Sequence, residues 1–356
     1  MSAIGNKYVA DADQFGSISD RLNRFIQDQC GAQSRVLNFH PMEDGHAGLT
    51  FGFDVIEDGA RPVVSYVLKI APIGVSRRGN TDVYRQAPLL RSLRQAGLPV
   101  PAVPWASPSE DALGTPFIIM ERLPGRIFFV WEPHDSFARE ISALRAIWLQ
   151  AAELLGELHR VDWRTMLADW EEPRSLCDEL NRWMPLLRHA ERPEIAEQGA
   201  KLHRLLTAGI PDANPIGVVH GDFHPGNILY VEGQATAVID WELAFIGSQG
   251  LDVGWLMMTV DELAWPSSCR PLAPISRADL LDAYRRAGGA ALDNIEWYQA
   301  LANFRLGAIG CLNLKLHRSG KRPDRFWESF APAIPMLFAR GIELASVSNA
   351  SDGTVK

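Results

Sequence analysis

The hydrophobic pattern of this chain changes character near Gly125. Before that point, short β-branched and aromatic runs alternate with turn residues, which predicts an antiparallel meander over residues 36–70 and another strand at 117–120. One helix is predicted within 81–96, ended by Gly97 and Pro99. After Gly125, apolar residues recur at helical spacing in 136–159, 176–188, 194–207, 277–287, 294–317 and 324–343. The pattern predicts an α+β, bilobal fold, with a β-rich N-lobe at 1–123 and a mostly helical C-lobe at 124–356.

The composition argues against several classes of protein but does not indicate a function. The chain has 356 residues, 47% of them hydrophobic, and a net charge of -8, so a nucleic-acid partner is not expected. The N-terminus has no apolar signal-peptide core, and no run is long enough to span a membrane. The four cysteines form no CxxC pair. We expect a cytoplasmic protein with no membrane partner and frayed ends at residues 1–12 and 346–356. The oligomeric state is not indicated.

One segment carries most of the chemical information. It runs Val-Val-His-Gly-Asp-Phe-His-Pro-Gly-Asn-Ile-Leu-Tyr over 218–230, and Ala-Val-Ile-Asp-Trp-Glu follows at 237–242. Residues 227–231 and 235–239 predict two strands joined by a turn at 232–234. A hairpin of this length would bring Asn227 and Asp240 to the same open end, with Asp222 on the loop just before it.

These three side chains suit phosphoryl transfer. That reaction needs a carboxylate to orient the attacking hydroxyl or accept its proton, and it needs hard oxygen ligands for Mg²⁺. Asp222 suits the first role, and Asn227 with Asp240 suits the second.

Two other interpretations of the segment fail on local geometry. His220 and His224 are four apart, but a zinc pair of that spacing needs a helix, which Gly221 and Pro225 disfavour. Gly221 and Gly226 have the spacing of a phosphate-binding loop, but Lys and Ser/Thr do not follow them. His220 is expected to pack and form hydrogen bonds behind the loop.

The two motifs, HGDxHPGN and IDWE, resemble those of the aminoglycoside phosphotransferase and choline kinase superfamily, whose members are relatives of protein kinases. The resemblance covers residues 36–320, and its layout looks closest to the kinase-like domains fused to acyl-CoA dehydrogenases. It implies a Mg²⁺-dependent transfer of the γ-phosphate of ATP or GTP to a small hydroxylated molecule. It also implies Asp222 as the catalytic base and Asn227 with Asp240 as metal ligands.

The same resemblance implies nucleotide-binding residues in the N-lobe. Lys69, within the strand Val67–Ile70, looks like the kinase lysine that contacts the α- and β-phosphates. The hinge segment 120–123, with Glu121 and Leu123, would meet the nucleobase through its backbone. A loop between the first two strands would cover the phosphates, although an ordinary hairpin turn fits it as well; it comprises Gly45, His46, Ala47 and Gly48. Asp252 matches a family aspartate that braces the catalytic loop.

One departure from the family pattern concerns the partner of Lys69. The family places a Glu on the next helix, but Gln86 stands at that position, and no Glu lies between Lys69 and Glu110. Pro88 also disfavours a regular helix interior there. Lys69 therefore has three possible arrangements: a hydrogen bond to Gln86, an ion pair with Asp82, or no such partner.

The sequence leaves alternatives for function. A nucleotide-binding pseudokinase with a regulatory role is the main one, motivated by Gln86. A protein kinase is disfavoured because no APE-like segment follows the second motif. The acceptor could be an aminoglycoside or macrolide, an amino alcohol, a sugar or a hydroxyacyl thioester.

Overall fold

The structure is a computed structural model, and it describes residues 12–42, 49–56, 63–71, 81–212 and 214–352. The loop Gly45–Gly48, expected to cover the phosphates, lies outside the described residues.

The chain divides into two compact units. One, here called the β-rich unit, contains residues 2–124 and the short segment 237–243. The other, the helical unit, contains residues 125–236 and 244–356. The fold is α+β, as predicted, with a β-sheet N-terminal region and a helical C-terminal region.

The β-rich unit is built on a five-stranded antiparallel sheet of order β1-β2-β3-β5-β4. The strands are β1 (Arg35–Pro41), β2 (Leu49–Ile56), β3 (Val64–Ile70), β4 (Trp105–Ser107) and β5 (Phe117–Glu121). Lys69 lies near the end of β3, paired in register with Thr50 on one side and Ile118 on the other. It therefore occupies a central strand of the sheet.

A helix that the sequence analysis did not predict precedes this sheet. α1 spans Ala12–Cys30. Ile18, Leu22 and Ile26 recur at four-residue spacing, and all three are buried in one core cluster with sheet residues such as Phe51 and Phe117. The apolar side of α1 therefore covers one face of the sheet.

Helix α2 (Gln86–Gln95) lies within the predicted range 81–96. Pro88 is its third residue, where the missing N–H would have had no partner inside the helix. The proline is therefore compatible with a regular helix, contrary to the concern raised by the sequence. Gln86 is the first residue of α2 and is buried.

The helical unit contains two small sheets. β6 (Arg126–Ile127), β8 (Ile228–Val231) and β9 (Gln234–Val238) form one, in that order. β7 (Ile216–Val219) pairs with β10 (Phe245–Ser248) in the other. β8 and β9 are hydrogen-bonded neighbours joined by two residues, so the predicted hairpin is present. The last two residues of β9 belong to the β-rich unit.

The helices of this unit are α3 (Ile141–His159), α4 (Trp163–Met166), α5 (Leu176–Trp183), α6 (Pro193–Ala208), α7 (Gly250–Val260), α8 (Arg277–Arg286), α9 (Ile295–Arg318), α10 (Phe326–Phe330) and α11 (Ala333–Asp352). Most of them match predicted segments, but α4 and α7 were not predicted, and the predicted segment 324–343 is divided between α10 and α11. Short 3₁₀ turns occur at Met184–His189, Pro225–Asn227, Trp241–Leu243, Glu262–Ala264 and Ser267–Cys269. α11 continues to Asp352, and residues 353–356 of the tail expected to be frayed lie outside the described residues.

α9 forms the centre of the helical unit. Nearly every residue from Trp297 to Leu314 is buried, and the helix packs against α7 and α11. No helix in the described ranges combines the length and the hydropathy that a membrane span requires.

Candidate active site

The loop of residues 220–227 connects β7 to β8, and its backbone amides are held by side-chain acceptors. Gly221 has φ +85°, a conformation that residues with a Cβ rarely adopt, which explains the glycine between His220 and Asp222. His220 Nδ1 accepts a hydrogen bond from the Asp222 amide at 3.2 Å. His220 is fully buried, so the expectation that it forms hydrogen bonds behind the loop is confirmed.

The second half of the loop is fixed in the same manner. His224 Nδ1 accepts a hydrogen bond from the Gly226 amide at 2.9 Å, and the Asn227 amide donates to the His224 carbonyl at 2.9 Å. Burial holds the pKa of His224 well below its usual range. Pro225–Asn227 is a 3₁₀ turn, not the helix that a zinc pair would require. Both histidines thus use Nδ1 to shape the loop.

Asp252 braces the loop from α7, as the resemblance implied. One carboxylate oxygen accepts from the His220 amide at 2.7 Å, and the other accepts from the Gly221 amide at 2.8 Å. This prediction is confirmed. Because the bracing carboxylate is itself buried, these charge-assisted bonds are strong and directional.

Next to Asp252 lies a pair of buried residues that the sequence analysis missed. His159, at the end of α3, places Nε2 3.5 Å from the Asp252 carboxylate and contacts the Tyr284 hydroxyl through Nδ1 at 2.9 Å. Burial and the charge of Asp252 raise the pKa of Tyr284. Tyr284, His159 and Asp252 thus lie in that order between α8 and the loop of residues 220–227. No sequence pattern marked these residues, because the links join segments far apart in the chain.

Asp222 and Asn227 are both presented by this loop. Asp222 is buried, and one carboxylate oxygen lies 3.6 Å from His224 Nε2. Asn227 Nδ2 donates to the Asp222 carbonyl at 2.8 Å. Since the amide nitrogen is used in that bond, the Asn227 Oδ1 atom is left as an oxygen donor for a cation.

Lys69 and Asp240 come together in the β-rich unit. Lys69 Nζ lies 3.8 Å from an Asp240 carboxylate oxygen, and each side chain is about one-fifth exposed, at 18% and 19%. The arrangements expected from the sequence, a Gln86 hydrogen bond or an Asp82 ion pair, did not include this one. Gln86 occupies the position on α2 where the family has Glu. The carboxylate that pairs with Lys69 is instead that of Asp240.

Asp240 has an unusual backbone conformation for a residue with a side chain. Its φ is +65°, and such conformations concentrate at functional sites. Hydrogen bonds of neighbouring residues tie its segment to the β-rich unit: the Val238 amide donates to the Pro99 carbonyl at 2.8 Å, and Arg85 donates to the Glu242 carbonyl at 3.3 Å. The backbone therefore holds Asp240 beside Lys69.

Two amides of the hinge segment already form backbone hydrogen bonds. The Glu121 amide donates to the Ala102 carbonyl at 2.9 Å, and the Arg122 amide donates to the Ser65 carbonyl at 3.0 Å. The Glu121 carboxylate pairs loosely with Arg94 at 3.8 Å. The role of Glu121 and Leu123 toward a nucleobase stays a prediction.

The fold and these motifs define a protein of the kinase-like phosphotransferase class. Residues 47–298 match the phosphotransferase enzyme family, APH, and because that match covers most of the chain, the chain belongs to this family. The resemblance stated from the HGDxHPGN and IDWE motifs is confirmed.

Curated relatives point to the same branch that the sequence layout indicated. The chain is 25% identical over 343 residues to acyl-CoA dehydrogenase family member 11 of Gallus gallus, covering 91% of this chain and 42% of that protein. It is 26% identical over 259 residues to acyl-CoA dehydrogenase family member 10 of Mus musculus, covering 68% of this chain and 24% of that protein. The chain spans less than half the length of either relative.

Solved structures share the fold. A putative aminoglycoside phosphotransferase from Ralstonia eutropha superposes with a TM-score of 0.74 at 22% identity, covering 92% of this chain and 98% of that one. An aminoglycoside phosphotransferase in ternary complex with ADP and hygromycin B gives a TM-score of 0.53 at 17% identity, covering 90% and 97%.

Proposed function

We propose that this protein is a phosphotransferase that moves the γ-phosphate of ATP or GTP to a hydroxyl group of a small molecule, with Mg²⁺ as cofactor. The observation that carries the proposal is the loop of residues 220–227, which presents Asp222 and Asn227 and is held by both oxygens of Asp252. A loop fixed in this way suits a reaction in which catalysis is largely positioning.

The roles of the side chains follow from their chemistry. Asp222 would orient the acceptor hydroxyl and accept its proton as the oxygen attacks phosphorus. Lys69 would attract the α- and β-phosphates. The ion pair with Asp240 holds the lysine in place, which is the function usually served by a Glu on the next helix.

The available donors fit Mg²⁺. Asn227 Oδ1 and the Asp240 carboxylate are hard oxygen donors, the kind that Mg²⁺ prefers. Among the described residues, no group of three or more His, Cys, Asp or Glu side chains forms a complete metal cage. Two protein ligands suit Mg²⁺, whose sites in kinases are commonly completed by water and nucleotide phosphates. When bound, the ion offsets negative charge on those phosphates.

A Mg²⁺-dependent transfer assay tests the proposal. The purified protein is incubated with γ-labelled ATP or GTP and with compounds from four classes: aminoglycosides or macrolides, amino alcohols, sugars, and hydroxyacyl thioesters. We expect label transfer to a member of one class, lost on metal chelation. Transfer to folded proteins or peptides, with none to small hydroxyl compounds, would overturn the choice of acceptor.

A second candidate is a nucleotide-binding pseudokinase with a regulatory role. The observation that favours it is Gln86, buried at the start of α2 in place of the usual Glu. The same assay separates the two candidates, because the pseudokinase would bind nucleotide and transfer no label to any acceptor or to water.

A further inference from the structure

The two ring nitrogens of His224 face different parts of the loop of residues 220–227. Nδ1 accepts a hydrogen bond from the Gly226 amide at 2.9 Å. Nε2 lies 3.6 Å from Oδ1 of Asp222, and the two side chains are buried, with 4% and 2% of their surfaces exposed. The imidazole therefore lies between the backbone of its own loop and the proposed base.

The hydrogen bond at Nδ1 determines where the ring carries its proton. A backbone amide can only donate, so Nδ1 presents a lone pair and carries no hydrogen. The imidazole is then the neutral tautomer with its hydrogen on Nε2. An ionised carboxylate can only accept. His224 therefore turns an N–H group toward an oxygen of Asp222, and this needs no positive charge on the ring.

Gly226 fixes the position of this ring as well as donating to it. A Cβ built on Gly226 would lie 2.5 Å from Cε1 and 2.7 Å from Nδ1 of His224. The φ of Gly226 is not positive, so the backbone conformation does not require a glycine there. The glycine instead leaves the space that the imidazole occupies, and a larger residue would displace the ring from Asp222.

We propose that His224 is a positioning residue for Asp222: its Nε2–H, fixed by the loop, holds one carboxylate oxygen and leaves the other for the acceptor hydroxyl. The inference rests on the proposed function, since that function assigns Asp222 its task. A separation of 3.6 Å is longer than a hydrogen bond, and contacts between catalytic groups commonly tighten only in the complex with substrate. The Nε2 proton stays on the ring, while the proton of the acceptor hydroxyl passes to Asp222.

Two substitutions separate the contributions of the two nitrogens. His224 is the N-cap of the turn Pro225–Asn227, with its side chain accepting from the Gly226 amide. His224→Asn keeps a cap, because the short Asn side chain carries an oxygen that accepts such a bond, but it removes the N–H beside Asp222. His224→Gln has a longer side chain that places an amide N–H near the position of Nε2, but it lacks the cap.

The two variants should therefore fail in opposite ways. We expect His224→Asn to melt close to the wild type and to lower kcat by about 10- to 100-fold, with KM for the nucleotide nearly unchanged. His224→Gln should melt a few degrees lower but keep kcat within about fivefold of the wild type. A residue that only caps the turn would give the reverse order. Wild-type kcat in His224→Asn, or an equal loss of kcat in both variants, would overturn the proposal.

His203→Asn is the matched control for these kinetics. His203 also places a ring nitrogen near a polar side-chain atom, Asn181 Oδ1 at 3.0 Å, but it lies in α6 outside the loop. We expect its kcat to equal that of the wild type. A loss of kcat as large as that of His224→Asn would show that histidine substitutions in this unit act through general loosening, and it would count against the proposal.

A measurement that needs no turnover tests the tautomer itself. Long-range ¹H–¹⁵N correlation spectra of the histidine-labelled wild-type protein distinguish the protonated ring nitrogen from the unprotonated one, and the His224 signal is the one absent from the His224 variants. We expect the proton on Nε2, and we expect Asp222→Ala to shift the Nε2 resonance of His224 but not that of His203. A proton on Nδ1, or no response to Asp222→Ala, would overturn the inference. The expected spectra in a protein without turnover would contradict the proposed function alone, because the contact between His224 and Asp222 would then be established.

Discussion

At the scale of single residues, the proposed role of Asp222 as the base can be tested directly. Asp222→Asn keeps the size and shape of the side chain but removes the group that is proposed to accept the hydroxyl proton. We expect kcat to fall by about 1,000-fold, with nucleotide affinity nearly unchanged. Steady-state kinetics and nucleotide titration measure the two quantities. Asp135→Asn, a change at a fully exposed carboxylate in the same unit, is the control. Unchanged turnover in Asp222→Asn would refute the assignment of Asp222 as the base.

A second prediction concerns Lys69, whose ion-pair partner is Asp240. In the proposed mechanism Lys69 supplies charge to the phosphates, whereas Gln86 at most helps to position it. We therefore expect Lys69→Ala to lower kcat/KM by about 100-fold and Gln86→Ala by less than about tenfold. Gln86→Glu is expected to be tolerated or mildly beneficial, because an acidic residue in the first turn of a helix is favourable. Measuring the nucleotide-dependent turnover of the three variants tests this order of effects. A neutral Lys69→Ala would show that the lysine is not a phosphate ligand.

At the scale of elements, the packing of α7 on α9 depends on a glycine. A Cβ built on Gly254 would lie 2.4 Å from the carbonyl carbon and oxygen of Tyr298 and 2.8 Å from the Gln299 amide nitrogen. Backbone cannot move aside as a flexible side chain does, so Gly254→Ala should destabilise the protein by about 1–3 kcal/mol or more.

Gly16→Ala is the matched control for that prediction. Gly16 is also inside a helix, but a Cβ there meets nothing within 4 Å. Helix propensity should then make the change neutral or stabilising by up to about 1 kcal/mol. Urea denaturation measures both variants. If the two variants had similar free energies of unfolding, α7 and α9 would be able to move apart around the added methyl group with little loss of stability.

Helices and the hairpin were predictable where residues close together in the sequence determine them. The periodicity of α3, α6, α8 and α9 indicated their positions to within a few residues, and the turn predicted at 232–234 indicated the hairpin, whose connection is residues 232–233. α3 begins at Ile141 and not at Ser136 because Glu140 is extended, with ψ 140°, which no apolar spacing records. α1 was missed although Ile18, Leu22 and Ile26 carry a helical signal.

The parts of the site that escaped prediction depend on long-range contacts. Lys69 and Asp240 are 171 positions apart, 240 minus 69, and the sequence offered Gln86 and Asp82 as nearer candidates. His159 and Tyr284, which lie next to Asp252, belong to α3 and α8. Their contact follows only from the packing of those two helices.

At the scale of the whole molecule, ligand binding should be visible as stability, because a ligand that binds only the folded protein raises its unfolding temperature. We expect Mg²⁺ with ATP or GTP to raise the melting temperature of the wild-type protein, and the larger shift to identify the preferred nucleotide. At about 100 times Kd the expected gain is roughly 2.7 kcal/mol.

Asp240→Ala should lose most of that Mg²⁺-dependent shift, because it removes a proposed charged metal ligand and also the partner of Lys69. Asp222→Asn should keep the shift, since the proposed base takes no part in holding the metal. Parallel melts with a chelator isolate the shift caused by nucleotide alone, which should be similar in the wild type and in Asp222→Asn. If Asp240→Ala were stabilised as strongly as the wild type, with the same dependence on Mg²⁺, Asp240 would not be a metal ligand. In that case its role would be limited to the ion pair with Lys69, and an oxygen donor other than Asp240 would have to join Asn227 in holding the ion.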